Sequence, residues 1–311
     1  MTAATQILTL IRLFKPLGAF RHLRPVLSML LLVCSTGCES MRHWIAFSRP
    51  VPSPSAILPM DASSDEIIAA LNDNITQLYA WRSTDVKITA KQHGVPIMLS
   101  AMMAVESPRK LRLMATSLAG NEVDLGSNPE RFWFWVRRSE PHGIMTASYD
   151  DVEEGKPLGP LPFQPEWLIE TLGVIPIVGR QFTMQELPAR TSEAGRSSSR
   201  FVAFVAEHET PQGRRIKRTM VVDVAYAAIV EHSLHEPSGQ LIARARLSHY
   251  QREPGGPRLP HRIELNWPEA GCDLTIRVGS IEVNPPSVTE QTWSMPSYPD
   301  SPVIDLTRFR P

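Results

Sequence analysis

The chain combines one helical pattern of apolar residues with many short segments that have the period of a β-strand. From Ser64, apolar side chains recur every three or four residues, which predicts an amphipathic helix to about Trp81 with Ser64 as its N-cap. Val86, Ile88 and Ala90 then alternate with polar residues, as in a half-buried strand. We therefore expect the helix to cover a sheet with its apolar stripe.

Twelve segments have the pattern of strands bounded by turn residues. They lie at 86–91, 95–105, 111–118, 121–125, 132–136, 144–149, 201–207, 219–224, 226–234, 241–250, 261–267 and 273–283. Parallel strands need long crossover connections, so the short turns within each half favour an antiparallel meander. Between the halves, an acidic loop at 150–154 precedes a short helix at 164–172 that ends at Gly173.

The strand at 132–136 is apolar on both faces. Phe132 and Phe134 project to one side, and Trp133 and Trp135 project to the other. Because neither face can lie against water, we expect a curved sheet that is covered outside by helices. Its inner face would be filled by a ligand or by the protein's own side chains, and the pattern suits either.

The first 37 residues have the order of a signal peptide: basic residues, a short apolar run at 26–33 and a small-residue site. The run is shorter than the roughly 20 residues that a membrane-spanning helix needs. Gly37-Cys38 resembles the bacterial lipobox. This resemblance implies cleavage before Cys38 and attachment of lipid, with acyl chains such as palmitate, to its thiol. The alternatives are an ordinary cleaved signal and an uncleaved anchor.

Residues 38–63 form the predicted connection between the lipid and the folded domain. They contain four prolines and little hydrophobic periodicity, which is typical of a semi-extended tether. Glu39 follows the cysteine, and this resembles the signal that directs lipoproteins to the outer membrane. We therefore expect a protein of the cell envelope, anchored by lipid on the periplasmic side of the outer membrane.

Charge and cysteine content exclude several partners. Thirty-two basic residues balance 32 acidic ones, so no long-range field attracts nucleic acid. With the signal removed and Cys38 lipidated, Cys272 is the one remaining cysteine, and neither an intramolecular disulfide nor a Cys-based metal site can form. We expect a monomer that needs no cofactor and no metal.

The sequence contains no recognised catalytic motif. His232 and His235 are three residues apart in a predicted strand, so they would project to opposite faces as surface histidines. Basic residues at 214–218 flank a hairpin tip, where they either remain in water or contact anionic lipid head groups. We predict that the protein is not an enzyme. An envelope enzyme whose site is assembled only in space is an alternative.

The order of the elements resembles a known superfamily. The chain contains, in this order, a signal, a helix, antiparallel strands, a central short helix and further strands. Local similarities lie at 111–113, 124–128, the Trp-rich strand and 281–284. Over residues 64–296 the chain is similar to the LolA/LolB-like superfamily of periplasmic lipoprotein-sorting proteins, and its anchor is closer to LolB. The resemblance implies a mainly β (α+β) fold, an incomplete antiparallel β-barrel of about ten to twelve strands with a helical lid. Residues 297–311 would form an irregular tail.

Strand alternation defines the inward face on which a ligand would lie. We predict these ligand-lining residues: Val86, Ile88, Leu99, Ala101, Met103, Leu113, Phe132, Phe134, Ala243, Ala245, Leu247, Ile263, Leu265, Leu274 and Ile276. The leading hypothesis is a carrier or acceptor that holds acyl chains of a lipid or lipoprotein in an apolar cavity, for transfer within the envelope. In the second hypothesis the barrel is filled by its own side chains, and the protein is a structural or interaction lipoprotein.

Overall fold

A computed structural model describes residues 56–92, 95–156, 158, 165–177, 182–192, 198–254, 256–286 and 289–308. The predictions for the signal peptide at 1–37, for Cys38 and for residues 38–55 of the tether lie outside these residues. No helix among the described residues has the length and apolar character that a membrane crossing would need.

Three α-helices, two short 3-10 helices and fifteen strands make up the described fold. The helices are α1 (Ser64–Thr76), α2 (Tyr149–Glu153) and α3 (Pro165–Thr171). The strands of the first half are β1 (Ala80–Gln92), β2 (Val95–Glu106), β3 (Lys110–Ser117), β4 (Gly120–Ser127), β5 (Arg131–Val136) and β6 (Ile144–Ser148). The remaining strands are β7 (Thr183–Thr191), β8 (Ser198–Glu209), β9 (Arg215–Asp223), β10 (Ala228–His235), β11 (Leu241–Arg252), β12 (Arg258–Trp267), β13 (Cys272–Val278), β14 (Glu282–Val283) and β15 (Val303–Asp305).

All strands belong to one sheet in the order β15-β6-β5-β4-β3-β2-β1-β13-β12-β11-β10-β9-β8-β7, and β14 also pairs with β1. Every pair is antiparallel except β15 with β6. The central contact joins β1 to β13, with Val86 opposite Val278. Among the described residues, β15 and β7 end the sheet without pairing to each other. The predicted class, a mainly β and incomplete antiparallel barrel, is confirmed, with three strands more than predicted: β7, β14 and β15.

Helix α3 lies inside the curve of the sheet. The Trp167 ring is 5.4 Å from the ring of His232 in β10 and 6.1 Å from that of Trp267 in β12. On the opposite side, the indole N–H of Trp81 in β1 donates to the carbonyl of Leu172, just beyond α3. The helix therefore joins strands from both halves and fills the space between them.

Helix α1 is capped one residue before the predicted cap and ends earlier than predicted. Its N-cap is Ser63, whose hydroxyl accepts from the backbone N–H of Glu66, while the Glu66 carboxylate accepts from the Ser63 N–H. This capping box stabilises the first turn. The predicted end at Trp81 is wrong because Trp81 belongs to β1, where it pairs with Val105 and Val283.

The acidic segment at 150–154 is not the predicted loop, since most of it lies in the short helix α2. Ser148 caps this helix by accepting from the N–H of Asp151. Asp150 and Asp151 occupy the first turn, where carboxylates interact favourably with the helix dipole.

The outer face of β5 is covered by the C-terminal segment and not by the predicted helices. Trp135 stacks on Tyr298 with 4.1 Å between ring centroids, and Trp133 and Trp135 share a buried cluster with Met295. The Tyr298 hydroxyl donates to Asp124 at 2.6 Å, and Asp124 also pairs with Arg112. Residues 303–305 form β15, so part of the segment predicted to be irregular extends the sheet.

Candidate functional site

The strand registers place the predicted inward residues on one face of the sheet. Eleven of them are buried in the main core: Val86, Ile88, Ala101, Met103, Leu113, Ala243, Ala245, Leu247, Ile263, Leu265 and Ile276. Leu99 and Leu274 are partly buried against that core. Phe132 and Phe134 lie on the same face but in a neighbouring cluster with Met145, Tyr149 and Leu306.

Most of this face is packed against the protein itself. Trp167, Leu168 and Ile169 of α3 are buried in the same core, together with Leu172 and Val174. Of the fifteen predicted residues, Leu247 is the one that borders the cavity described next. Contact of the others with a ligand stays a prediction, and in the structure they pack with other core side chains.

A cavity of about 80 Å³ lies between α1, the segment that follows α3, and strands β9 to β12. Its walls are largely apolar and include Leu71, Ile75, Ile175, Met220, Ile229, Leu247 and Leu259. Small-molecule sites usually enclose about 300–1,000 Å³, so a ligand of that size would fit in this cavity only if α1 moved. The same helix whose apolar stripe was predicted to cover a sheet forms the roof of the cavity.

A chain of buried polar groups lies at one side of the cavity. The Nε–H of Arg218 donates to Nε2 of His232 at 2.7 Å, which leaves the ring hydrogen on Nδ1. Nδ1 is 2.9 Å from the hydroxyl of Thr171 and donates to it, because that hydroxyl in turn donates to the Trp167 carbonyl. Arg218 also forms a salt bridge with Glu170. These groups fix α3 against β9 and β10.

Two sequence interpretations are corrected here. His232 is buried and not a surface residue, and Arg218 is buried although it belongs to the basic stretch beside the hairpin tip. Both side chains project inward because each occupies an inward-facing position of its strand. His232 lies opposite the apolar Ala245, and Arg218 lies opposite the apolar Leu234. Arg214, nearer the tip, forms a surface salt bridge with Glu236.

A second arginine, Arg258, lies on the cavity wall at the start of β12. Its Nη1 donates to the carbonyl of Tyr226 at 2.9 Å. Its backbone N–H and carbonyl both bond to the side-chain amide of Asn74 in α1. Burial lowers the pKa of its guanidinium. Sequence reasoning missed this residue because it lies at a strand end, where alternation gives no information on burial.

Burial favours the neutral forms of two further groups near the interior, Tyr250 and Cys272. Tyr250 lines the cavity, donates to the Ile229 carbonyl at 2.6 Å, and has a pKa raised by burial. Burial also raises the pKa of the Cys272 thiol to about 11. In the described part of the chain, no cluster of three or more His, Cys, Asp or Glu side chains has the arrangement of a metal site.

Two apolar side chains are exposed at the end of the sheet away from the cavity. Leu118, at the tip of the β3–β4 hairpin, is fully exposed, and Met98 in β2 is 78% exposed. In the β2–β3 register Ser100 lies opposite Thr116, so both residues lie at the same end of this strand pair. The N-terminal segment is at the opposite end, where the N–H of Ile57 donates to the carbonyl of Ala225 at 2.6 Å.

Comparison with protein-family models gives no match, and comparison with curated proteins gives no significant match. The chain is similar to a solved structure described as a putative outer membrane lipoprotein-sorting protein domain from Vibrio parahaemolyticus. That similarity has 9% identity and a TM-score of 0.49, over 73% of this chain and 94% of that one.

Two further structures have similar values. A DUF1329 family protein from Desulfovibrio piger has 7% identity and a TM-score of 0.46, over 73% of this chain and 94% of that one. A LolA superfamily protein from Nitrosomonas europaea has 9% identity and a TM-score of 0.44, over 73% of this chain and 97% of that one. These similarities concern the fold alone and assign no function to this chain.

Proposed function

We propose that this protein binds an acyl chain of a lipid or lipoprotein in the cavity beneath α1, and that it does so in the cell envelope. The observation that supports the proposal is an apolar-walled cavity roofed by an amphipathic helix. The proposal requires no catalytic step, nucleic acid, metal or second subunit. Transfer of the bound lipid between membranes or proteins is the finer form of the same proposal.

Helix α1 is suited to act as a lid over this cavity. Its side chains Ile67 and Leu71 pack on an apolar cluster that includes Phe204 and Met220 of the sheet. Its polar links to the described part of the body include two side-chain amides, Asn72 with Ile177 and Asn74 with Arg258. An acyl chain that replaced α1 would cover the same apolar surface, and each buried methylene contributes about 0.8 kcal/mol.

We also propose that Cys38 carries the lipid anchor, in the outer membrane. The first described residues lie beside the cavity, because Ile57 lines it and bonds to Ala225. A tether of residues 38–55 in extended polyproline geometry would span roughly 55 Å, at about 3.1 Å per residue. Cys38→Ala should therefore release the protein from the membrane fraction without changing acyl-chain binding.

Blocking the cavity mouth tests the proposal directly. Ala70 lines the cavity and is half-buried, whereas its neighbour Ala69 is exposed and does not line it. Ala70→Trp should reduce binding of a fluorescent fatty acid by about tenfold or more, because the indole occupies the entry space. Ala69→Trp adds the same side chain to the same helix and should leave binding unchanged. Equal binding by the two variants, both shown to be folded by circular dichroism, would contradict acyl-chain binding in this cavity.

A second candidate function is a structural or interaction lipoprotein with a self-filled barrel. The observation that favours it is the packing of α3 against the inward face, which leaves the interior largely occupied. Under this alternative the wild-type protein would bind no fatty acid. Native mass spectrometry of the purified protein would then detect no co-purified lipid.

A further inference from the structure

Arg258 is a buried cation without an acidic partner. Its exposed fraction is 9%, and among the described residues its guanidinium makes a single hydrogen bond, to the carbonyl of Tyr226. Within the described residues, no carboxylate lies within salt-bridge distance of it. Arg218, the other arginine at the cavity, differs because it pairs with Glu170.

This environment is unfavourable for an isolated charge. Burial lowers the pKa of Arg258, and Tyr250 is the largest influence in the opposite direction. Arg252 also lowers this pKa, whereas Asp223 and Tyr226 raise it. Arginine nevertheless stays protonated in proteins. A buried charge is normally paired or strongly hydrogen-bonded, since its desolvation is otherwise uncompensated. The remaining N–H groups of Arg258 are therefore available to an anion that enters the cavity.

We propose that the cavity takes an anionic amphiphile, with a carboxylate or phosphate head group on Arg258 and an acyl chain along the apolar wall. Guanidinium binds both kinds of oxyanion through two parallel hydrogen bonds. The cavity that Arg258 lines also includes the apolar side chains of Leu259, Leu247 and Ile229, which suit an aliphatic chain. The inference rests on the proposed acyl-chain function and adds the charge of the ligand's head.

Head-group chemistry can be separated from chain binding with paired probes. We would reconstitute the full chain in phosphatidylcholine vesicles and add dodecanoate or 1-dodecanol, each carrying a photoreactive diazirine, with inorganic phosphate as a competitor. Mass spectrometry would then locate and quantify labelling of peptides that line the cavity. The variants are Arg258→Met, Arg258→Lys and Arg252→Met. Arg252 is the matched control, because it lies directly opposite Arg258 in the strand register yet is exposed and outside the cavity.

We expect wild-type protein to bind dodecanoate about tenfold or more tightly than dodecanol, the range of a hydrogen bond to a charged group. Arg258→Met should reduce dodecanoate binding to the level of dodecanol and leave dodecanol unchanged. Arg258→Lys should retain most of the preference, and Arg252→Met should behave as wild type. Unchanged dodecanol labelling also shows that the Met variant is folded.

The outcomes distinguish this inference from the function on which it rests. Equal binding of both probes by wild type, or an unaltered preference in Arg258→Met, would overturn the inference while acyl-chain binding stands. Labelling of the cavity by neither probe would overturn the proposed function itself. Displacement of dodecanoate by inorganic phosphate at comparable concentration would mean a site for free anions, which also contradicts an amphiphile.

Discussion

At the scale of single residues, a side chain's alternating position along its strand decides whether it lies inside, whatever its polarity. The apolar positions of the inward face were predictable because alternation marks them directly. His232 and Arg218 occupy the same inward rows, yet sequence reasoning assigned both to the surface, since polar residues normally mark the solvent face. Their partners, Thr171 and Glu170, come from a helix far away in sequence, so no local pattern could have revealed the pairing.

Ala245 tests how full the interior is. Its side chain is completely buried in the main core, so Ala245→Trp should overpack the barrel and lower the free energy of unfolding by about 1–3 kcal/mol. Urea denaturation followed by far-UV circular dichroism would measure the loss. The comparison is Ala69→Trp, the same substitution on the exposed side of α1, which should change stability by no more than about 0.5 kcal/mol. If Ala245→Trp unfolded at the same urea concentration as wild type, the core would contain unfilled space and the expectation would be wrong.

At the scale of elements, the existence of a helix or strand was easier to predict than its ends. Helix α1 and most strands follow clear periodicity, but α1 ends at Thr76 because Trp81 forms strand pairs that periodicity alone does not reveal. Strand β7 was missed because few of its side chains are buried, so the alternation that identifies strands is weak there. Strand β7 is held in the sheet by its pairing with β8.

The start of α1 gives a test that separates neighbouring serines. Ser63→Ala should destabilise the protein by about 1 kcal/mol, because it removes the hydroxyl that accepts from the first turn. Ser64→Ala, at the cap predicted from sequence, should have little effect. Thermal unfolding of the two variants would rank them, and a larger loss for Ser64→Ala would contradict the observed capping box.

The same cap has a pH dependence of definite sign. Hydrogen bonds from Ser63 lower the pKa of Glu66 below its ordinary value of 4.5. Its contribution to stability is therefore complete above that ordinary value and is lost as the pH falls through the lowered, folded-state pKa. The difference in stability between wild type and Glu66→Gln should shrink on acidification.

At the scale of the whole molecule, the C-terminal segment acts as a strap across the outer face. Arg112 donates to the carbonyls of Thr292 and Ser294, and Tyr298 reaches Asp124. The aromatic residues of β5 predicted that the outer face of this strand is covered. Which segment covers it depends on contacts between residues distant in sequence, and these the sequence did not reveal. For the same reason the cavity and Arg258 could not be located from the sequence alone.

Removing one hydroxyl tests the strap. Tyr298→Phe deletes a hydrogen bond to the buried Asp124 carboxylate and should cost about 1.5 kcal/mol of unfolding free energy, as measured in urea. Burial and Asp124 raise the pKa of Tyr298 above its ordinary value of 10.0. The contribution is thus present below that value and is lost as the pH rises through the raised pKa. Tyr79→Phe, at an exposed tyrosine, serves as control; an equal cost in both variants would argue against the strap.

The pairing of β1 with β13 also governs when the protein can fold. Val86, in one of the first strands to be synthesised, has its partner at Val278, and β15 completes the other edge from residues 303–305. Contacts of such large sequence separation form slowly, because the loop must close before any pairing is gained. In a chain still bound to the ribosome, β1 and β13 would therefore stay unpaired until nearly all of the chain had emerged.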